Sequence, residues 1–368
     1  MVIFYYFFKN SIIFIINTTL IKVIYMKEVD LSKYQIRTDL VVDLTPEDFE
    51  FEKKYEYKDI LVSNISLDEE NSLKFNKKKG DYTTIYFDDV TDTTNFNNVL
   101  KVLIDEINKI VKSCKIKDED SCMIIGLGNE KSTADELGVT SAKKVTVTKH
   151  IYDLTGFLED GYRITTCLIP GVMGTTGIET SDIINSVVKE VSPDFILVID
   201  ALASDSIDRL LKTIQITNTG INPGSGIGNN RKEISKDIFG IPVIAIGVPT
   251  VVDATTIVSD TINYMKKHFS YNIKNKDSLV DKLIPEGRVN YLKNNNYTLS
   301  KEESSYFLGA LGNLSNEEKK LLINDVLTPI GYNLVVTPKE IDLVVLKLTD
   351  LISTAINKSI HNISTKKV

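Results

Sequence analysis

Short apolar runs alternate along this chain with longer stretches in which apolar residues recur every three or four positions. Cys122-Met123-Ile124-Ile125, Asp194-Phe195-Ile196-Leu197-Val198-Ile199 and Pro242-Val243-Ile244-Ala245-Ile246 are short and uninterrupted, as expected of strands buried on both faces. Thr83-Thr84-Ile85-Tyr86-Phe87 reads as another strand. Asn95–Ser113 reads as an amphipathic helix, with Leu100, Leu103, Ile107, Ile110 and Val111 on one face. Helices are also predicted over Asp182–Val191, Ser206–Lys212, Val252–Lys267, Asn316–Val326 and Lys339–Ile360. The last opens behind Thr337-Pro338 in cap and first-turn positions. Strands alternating with helices predict an α/β fold: a mostly parallel sheet covered by helices on both faces, followed by C-terminal helices. The polar run Glu47–Lys79 receives no element, and the Asn/Lys/Ser-rich stretch 272–305 reads as a surface excursion.

Residues 1–25 are rich in Phe, Ile and Tyr but do not form a good membrane anchor. Their longest charge-free piece, Asn10–Ile21, has 12 residues, whereas a spanning helix needs about 20. No small-residue cleavage site follows. Lys22-Val23-Ile24 can be encoded by a ribosome-binding sequence directly ahead of Met26. The expected start is therefore Met26, with residues 1–25 a misassigned start or a non-structural leader; the rival reading is an anchor.

Charge narrows the partners. With 50 acidic against 43 basic side chains and a formal net charge of −7, a direct nucleic-acid ligand is not expected. Three cysteines without a CxxC pair point to a reducing compartment, and three histidines leave little material for a His-based metal or catalytic cluster. No cofactor or metal is expected. Cys122 and Cys167 fit an inert core, and His268 and His361 fit positive groups near helix C-termini.

Several familiar motifs fail. Gly126-Leu127-Gly128 follows a strand, but Lys131 stands where GxGxxG needs its third glycine. Neither a P-loop nor a GxSxG elbow is present, and Asn218-Thr219-Gly220 lacks the carboxylate of an Asp-Thr-Gly motif. Two carboxylates remain. Asp135 lies in a polar loop after the strand 122–125, and Asp200 ends the run 194–199. In open sheets, functional groups gather beyond the carboxyl ends of strands. Two aspartates converging there could share a proton, the ionised one activating water and the neutral one polarising a carbonyl. Each could instead be a helix or turn cap.

Longer stretches carry a resemblance. Tyr34–Leu40, Gly126–Asn129 with Asp135–Gly138, Val145–Ile151, Pro170–Thr180, Pro193–Ala203, Asn218–Asn229 and Gly331–Asp342 together resemble the germination protease family of spore-forming Firmicutes. The likeness runs from Met26 to the C-terminus. It implies an atypical aspartic endopeptidase with the fold of the hydrogenase maturation proteases, active in the forespore and spore core. The family forms homotetramers, is made as a zymogen, and cleaves small acid-soluble DNA-binding spore proteins after an acidic residue in a Thr-Glu-apolar context. The two essential aspartates would be Asp135 and Asp200. Autoprocessing would fall between Asp39 and Leu40, making 26–39 a propeptide and 40–368 a single peptidase domain. An acid-reading pocket suggests a cation, with Lys131, Lys149 and Arg231 as candidates. Gly174 and Gly226 lie in glycine-rich loops that could let an extended substrate approach the backbone. The alternatives are a metal-dependent maturation peptidase on the same fold and a non-enzymatic scaffold, the latter indifferent to Asp135→Asn and Asp200→Asn.

Overall fold

The computed structural model describes residues 38–46, 48–227, 231–275, 298–327 and 334–361. Residues 1–25, read as a leader, residues 26–37 of the expected propeptide and most of the expected 272–305 excursion lie outside the described residues. Among the described residues the chain divides into two compact units, a larger one within 38–253 and 334–361 and a smaller one within 254–327.

The larger unit holds nine strands: β1 (Glu52–Tyr57), β2 (Ile60–Leu67), β3 (Gly80–Tyr86), β4 (Cys122–Gly126), β5 (Thr165–Leu168), β6 (Phe195–Ser204), β7 (Thr213–Thr217), β8 (Val243–Asp253) and β9 (Val335–Val336). Its helices are α1 (Glu69–Phe75), α2 (Thr93–Ser113), α3 (Leu137–Lys143), α4 (Lys149–Thr155), α5 (Met173–Thr176), α6 (Thr180–Val191), α7 (Lys236–Phe239) and, last in the chain, α11 (Ile341–Ile360). The strand order is β1-β2-β3-β7-β8-β6-β4-β5, with β9 added to β8. Only β8-β6-β4-β5 run parallel; every other pairing is antiparallel. The sheet is thus mixed, with the expected parallel part confined to its core.

Of the antiparallel strands, β3 contains the expected strand Thr83–Phe87 as far as Tyr86, whereas β1 and β2 were hidden in the polar run Glu47–Lys79. β1 faces solvent with Lys53, Lys54 and Glu56, and β2 is the buried partner. Their two-residue turn places Lys58 at φ 54, and Asn95 and Asn98 of α2 donate to the Asp59 carboxylate at 2.6 and 2.7 Å. The helix expected over Ser206–Lys212 is a single 3-10 turn, Ile207–Arg209. The alternating Thr-Ile-Gln-Ile-Thr of β7 takes over directly, because it fits between β3 and β8.

One face of the parallel core packs Met123, Ile125, Ile196, Val198 and Val243 against Ile184 and Val188 of α6. α3 packs on β4 and β6, α2 packs on β2, β3 and β7, and α11 lies against both helices with a buried stripe that includes Val345, Leu348, Ile352 and Ile356. Beside β2 and β3, Val41 joins Ile65, Leu67 and Tyr82 in a separate core, so the segment just after Asp39 is built into the domain.

In the smaller unit, α8 (Ala254–Lys274), α9 (Lys301–Leu308) and α10 (Asn316–Leu327) pack together. Ser300 and Glu303 form a capping box on α9. The buried Lys319 ammonium donates to Asn263 and Asn316.

Candidate active site

Asp200 sits inside β6 rather than at its end. β4 stops at Gly126, opposite Ile199, while β8 continues beside β6 as far as Ser204. Asp200 is therefore the first β6 residue beyond the reach of β4. It is buried, and its Oδ1 accepts from the Ala201 N–H at 2.9 Å.

The loop after β4 fills the space that β4 vacates. Leu127 N–H donates to the Ile199 carbonyl at 2.9 Å, and the turn closes on itself with Asn129 N–H on the Asp135 carbonyl at 3.0 Å. Gly128, at φ +108, permits this closure; a Cβ there would stand 1.9 Å from the Asp135 carbonyl oxygen. Thr250 of β8 ties the loop down by donating to the Ala134 carbonyl at 2.6 Å. Asp135 ends a 3-10 turn and is not the helix cap, since Glu136 occupies the N-cap of α3. The glycines of the failed dinucleotide fingerprint therefore shape a carboxylate-bearing turn.

Burial raises the Asp135 pKa to about 6, against the pull of the Asn129 backbone. Asp200 is pushed well above the ordinary carboxylate range, first by burial, then by the charges of Asp135 and Asp39. Two carboxylates raised together, one of them in a strand interior, form a pair that holds a proton near neutral pH.

The third carboxylate belongs to the expected cleavage site. Asp39 N–H donates to the Ala203 carbonyl at 3.0 Å, and Ala203 N–H returns a bond to Asp39 Oδ2 at 2.9 Å. Ser225 Oγ donates to Asp39 Oδ1 at 2.6 Å. Gly226 leaves the room: a Cβ there would stand 2.3 Å from Asp39 Oδ2. Thr38 Oγ1 donates to Asp43 at 2.5 Å and accepts from Leu40 N–H at 3.1 Å. Asp43 is in turn paired with Arg209. The Leu40 side chain is fully buried.

Of the predicted site residues, the structure brings together Asp39, Leu40, Asp135, Asp200 and Gly226. The three suggested cations lie elsewhere. Lys131 is exposed on the loop. Lys149 pairs with Asp153 and lines a shallow pocket at the amino ends of the parallel strands, the opposite end of the sheet. Arg231 meets Met173 and, at 3.8 Å, Glu179. Gly174 lies in α5 with open space around it. The Asp39 carboxylate is held by neutral donors, a backbone N–H and a hydroxyl. Such donors suffice for an anion when aimed at it in a partly dry site, so Ser225 and Ala203 hold this carboxylate without any of the three cations the sequence suggested. Among the described residues, no group of three or more His, Cys, Asp or Glu side chains is arranged to hold a metal ion. No helix of the described residues is long and apolar enough to cross a membrane.

A family model described as germination protease matches residues 37–368. The chain belongs to the germination protease family. It is 41% identical over 357 residues to the germination protease of Priestia megaterium, covering 91% of this chain and 96% of that one. The germination protease of Oceanobacillus iheyensis is 44% identical over 347 residues, 89% of this chain and 95% of the relative. That of a Bacillus cereus strain is 42% identical over 356 residues. Membership in the germination protease family makes the chain a peptidase acting on protein, and the matched region contains every residue of the carboxylate cluster.

Proposed function

We propose that this chain is a self-activating aspartic endopeptidase that cuts its own Asp39–Leu40 bond with Asp135 and Asp200. One observation carries the reading: Thr38-Asp39-Leu40 lies hydrogen-bonded along β6 beyond Asp200, near enough for the Asp39 charge to raise the Asp200 pKa. Asp135, the more acidic member, takes a proton from water as its oxygen attacks the Asp39 carbonyl carbon. The tetrahedral intermediate collapses with loss of the C–N bond, and Asp200 gives its proton to the departing Leu40 nitrogen. The new carboxyl group passes its proton to the released amine, and transfer from Asp135 to Asp200 restores the pair.

The same contacts read a substrate in trans. Ser225 and Ala203 donate to an acidic side chain in the room that Gly226 leaves, and Asp43 accepts from the hydroxyl of a preceding threonine. Small acid-soluble spore proteins with a Thr-acidic-apolar sequence fit this pattern, and in this proposal, which the family resemblance supports, the enzyme acts on them in the spore core as a homotetramer. The test is the intact mass of protein expressed from Met26, incubated at mildly acidic pH beside Asp200→Asn. Loss of residues 26–39 from the wild type alone is expected. Equal loss from both would remove Asp200 from the reaction.

A further inference from the structure

Resting on that reading, the geometry points to Lys77 as the group that polarises the carbonyl under attack: we propose that its ammonium, assisted by Gln215, receives the oxyanion formed on Asp39. Lys77 Nζ donates to the Asp39 carbonyl oxygen at 3.1 Å and to the Thr38 carbonyl at 3.1 Å. Gln215 Nε2 approaches the same Asp39 oxygen at 3.4 Å, while its Oε1 accepts from Val41 N–H at 2.9 Å. One amide side chain thus grips the chain on both sides of the Asp39–Leu40 bond.

The ammonium is built into place. Lys77 follows the left-handed Asn76 that ends α1. Its N–H donates to the Ser72 carbonyl at 3.1 Å, and Ser72 Oγ donates back to the Lys77 carbonyl at 2.5 Å. Burial lowers the Lys77 pKa, while Asp39 and Asp43 oppose that shift and favour the charge.

The chemistry follows from what changes during the reaction. Before attack, Lys77 faces a neutral carbonyl oxygen. When water adds, the C=O π pair moves onto that oxygen, which becomes a full anion beside a fixed cation. An interaction stronger in the transition state than in the ground state accelerates the step. When the C–N bond breaks, the pair returns to re-form the C=O bond. Carbonyl polarisation thereby passes from the neutral aspartate, where the sequence suggested it, to a lysine, leaving Asp200 free to protonate nitrogen. Lys77 lies after the cut and stays with the enzyme for later substrates.

A purely holding role is the rival, and seating separates the two. The rate of self-cleavage is followed by intact mass in the full chain for wild type, Lys77→Met, Lys77→Arg and Asp200→Asn. Hydrogen exchange of residues 38–41 is measured in Asp200→Asn with and without Lys77→Met. The expected result is a loss of about 10²–10³-fold for Lys77→Met, substantial rescue by Lys77→Arg, and unchanged protection of residues 38–41. Cleavage at the wild-type rate overturns the proposal, as does slowing matched by lost protection with no rescue by arginine. A wild type that leaves Asp39–Leu40 intact, or an Asp200→Asn chain that cuts it equally well, overturns the aspartic reading and this inference with it.

Discussion

The two ends of the parallel strands bury polar groups in opposite ways. At the amino end, Arg163 is buried with its Nε on the Ile360 carbonyl, its Nη1 on the Lys117 and Asp120 carbonyls, and its guanidinium 5.2 Å from the Phe195 ring centre. Its backbone N–H donates to His361 Nδ1, so the ring proton sits on Nε2, toward the Thr146 carbonyl. Each group there has a complement. At the carboxyl end, Asp39, Asp135 and Asp200 crowd together, and the Asp200 pKa is raised by burial and by both neighbours. The first arrangement knits α11 and the loops before β4 and β5 to the sheet. The second opposes folding and is held in place by its surroundings, the usual mark of a working site.

Breaking both ends gives the largest expected effects, with opposite signs in stability. Asp200→Asn should lower self-cleavage by at least about 10³-fold while raising the unfolding midpoint at pH 8 by about 2–6 °C. The carboxyl pKa is raised in the fold, so the unfolded chain ionises first and the native state loses stability as pH climbs from about 4. The gain from Asn should therefore shrink toward zero near pH 4. Arg163→Met should do the reverse, costing about 2–4 kcal/mol by leaving buried carbonyls unpaired, with self-cleavage by the folded fraction near wild type. Thermal melts from pH 4 to 8 beside intact-mass rates check all of this. A melt in which Asp200→Asn is the less stable protein at pH 8 would contradict the electrostatic account.

The pH profile sharpens the same contrast within the proposed catalytic pair. Self-cleavage should rise as Asp135 ionises around pH 6 and decline at higher pH as the pair gives up its remaining proton, tracing a bell. Single-turnover rates at constant ionic strength test it. A rate that climbs without a maximum to pH 9 would remove the need for a protonated Asp200.

How much of this was legible depends on whether the signal was local. The parallel core was, because β4, β6 and β8 are apolar on both faces. Hairpin β1–β2 was not, since β1 shows solvent Lys53, Lys54 and Glu56 and resembles a loop in composition. Asp135 and Asp200 stood out as carboxylates abutting buried strands, though the true end of β6 depends on how far β8 runs. Lys77 could not stand out. Lys77, Lys78 and Lys79 are consecutive and alike, yet the first reaches the Thr38 and Asp39 carbonyls, the second Glu233 and Asp237, and the third Glu69. Tertiary approach alone distinguishes them. Ala203 contributes backbone polar groups that every residue owns, and only the position of the strand gives them a role.

A smaller effect is expected at Gly226. Adding one methyl there should push the Asp39 carboxylate off Ala203 and Ser225, slowing self-cleavage by about 10–10²-fold through misplacement of the bond. The melt should barely change, since nothing in the Arg163 cluster is touched. If Gly226→Ala cleaved at the wild-type rate, the acid-reading role of this loop would fall.

The smallest effect tests the quiet end of the sheet. Burial lowers the His361 pKa, with Arg163 adding to the shift and the bond to Thr146 opposing it. The ring is neutral in both states above about pH 6.5, so its packing is then fully stabilising. Below that, the unfolded chain takes up a proton the native site resists, and stability drains away as pH falls. This slope is opposite to that of the aspartates, whose cost fades over the same range. In the Asp200→Asn background, where part of the acidic contribution is gone, His361→Gln should flatten the remaining acid-side loss of stability between pH 7 and 5. The expected change in the midpoint is about 1–3 °C. An unchanged slope would mean that His361 titrates normally in the fold, and that the carbonyl and amide around it shelter the ring less than their geometry indicates.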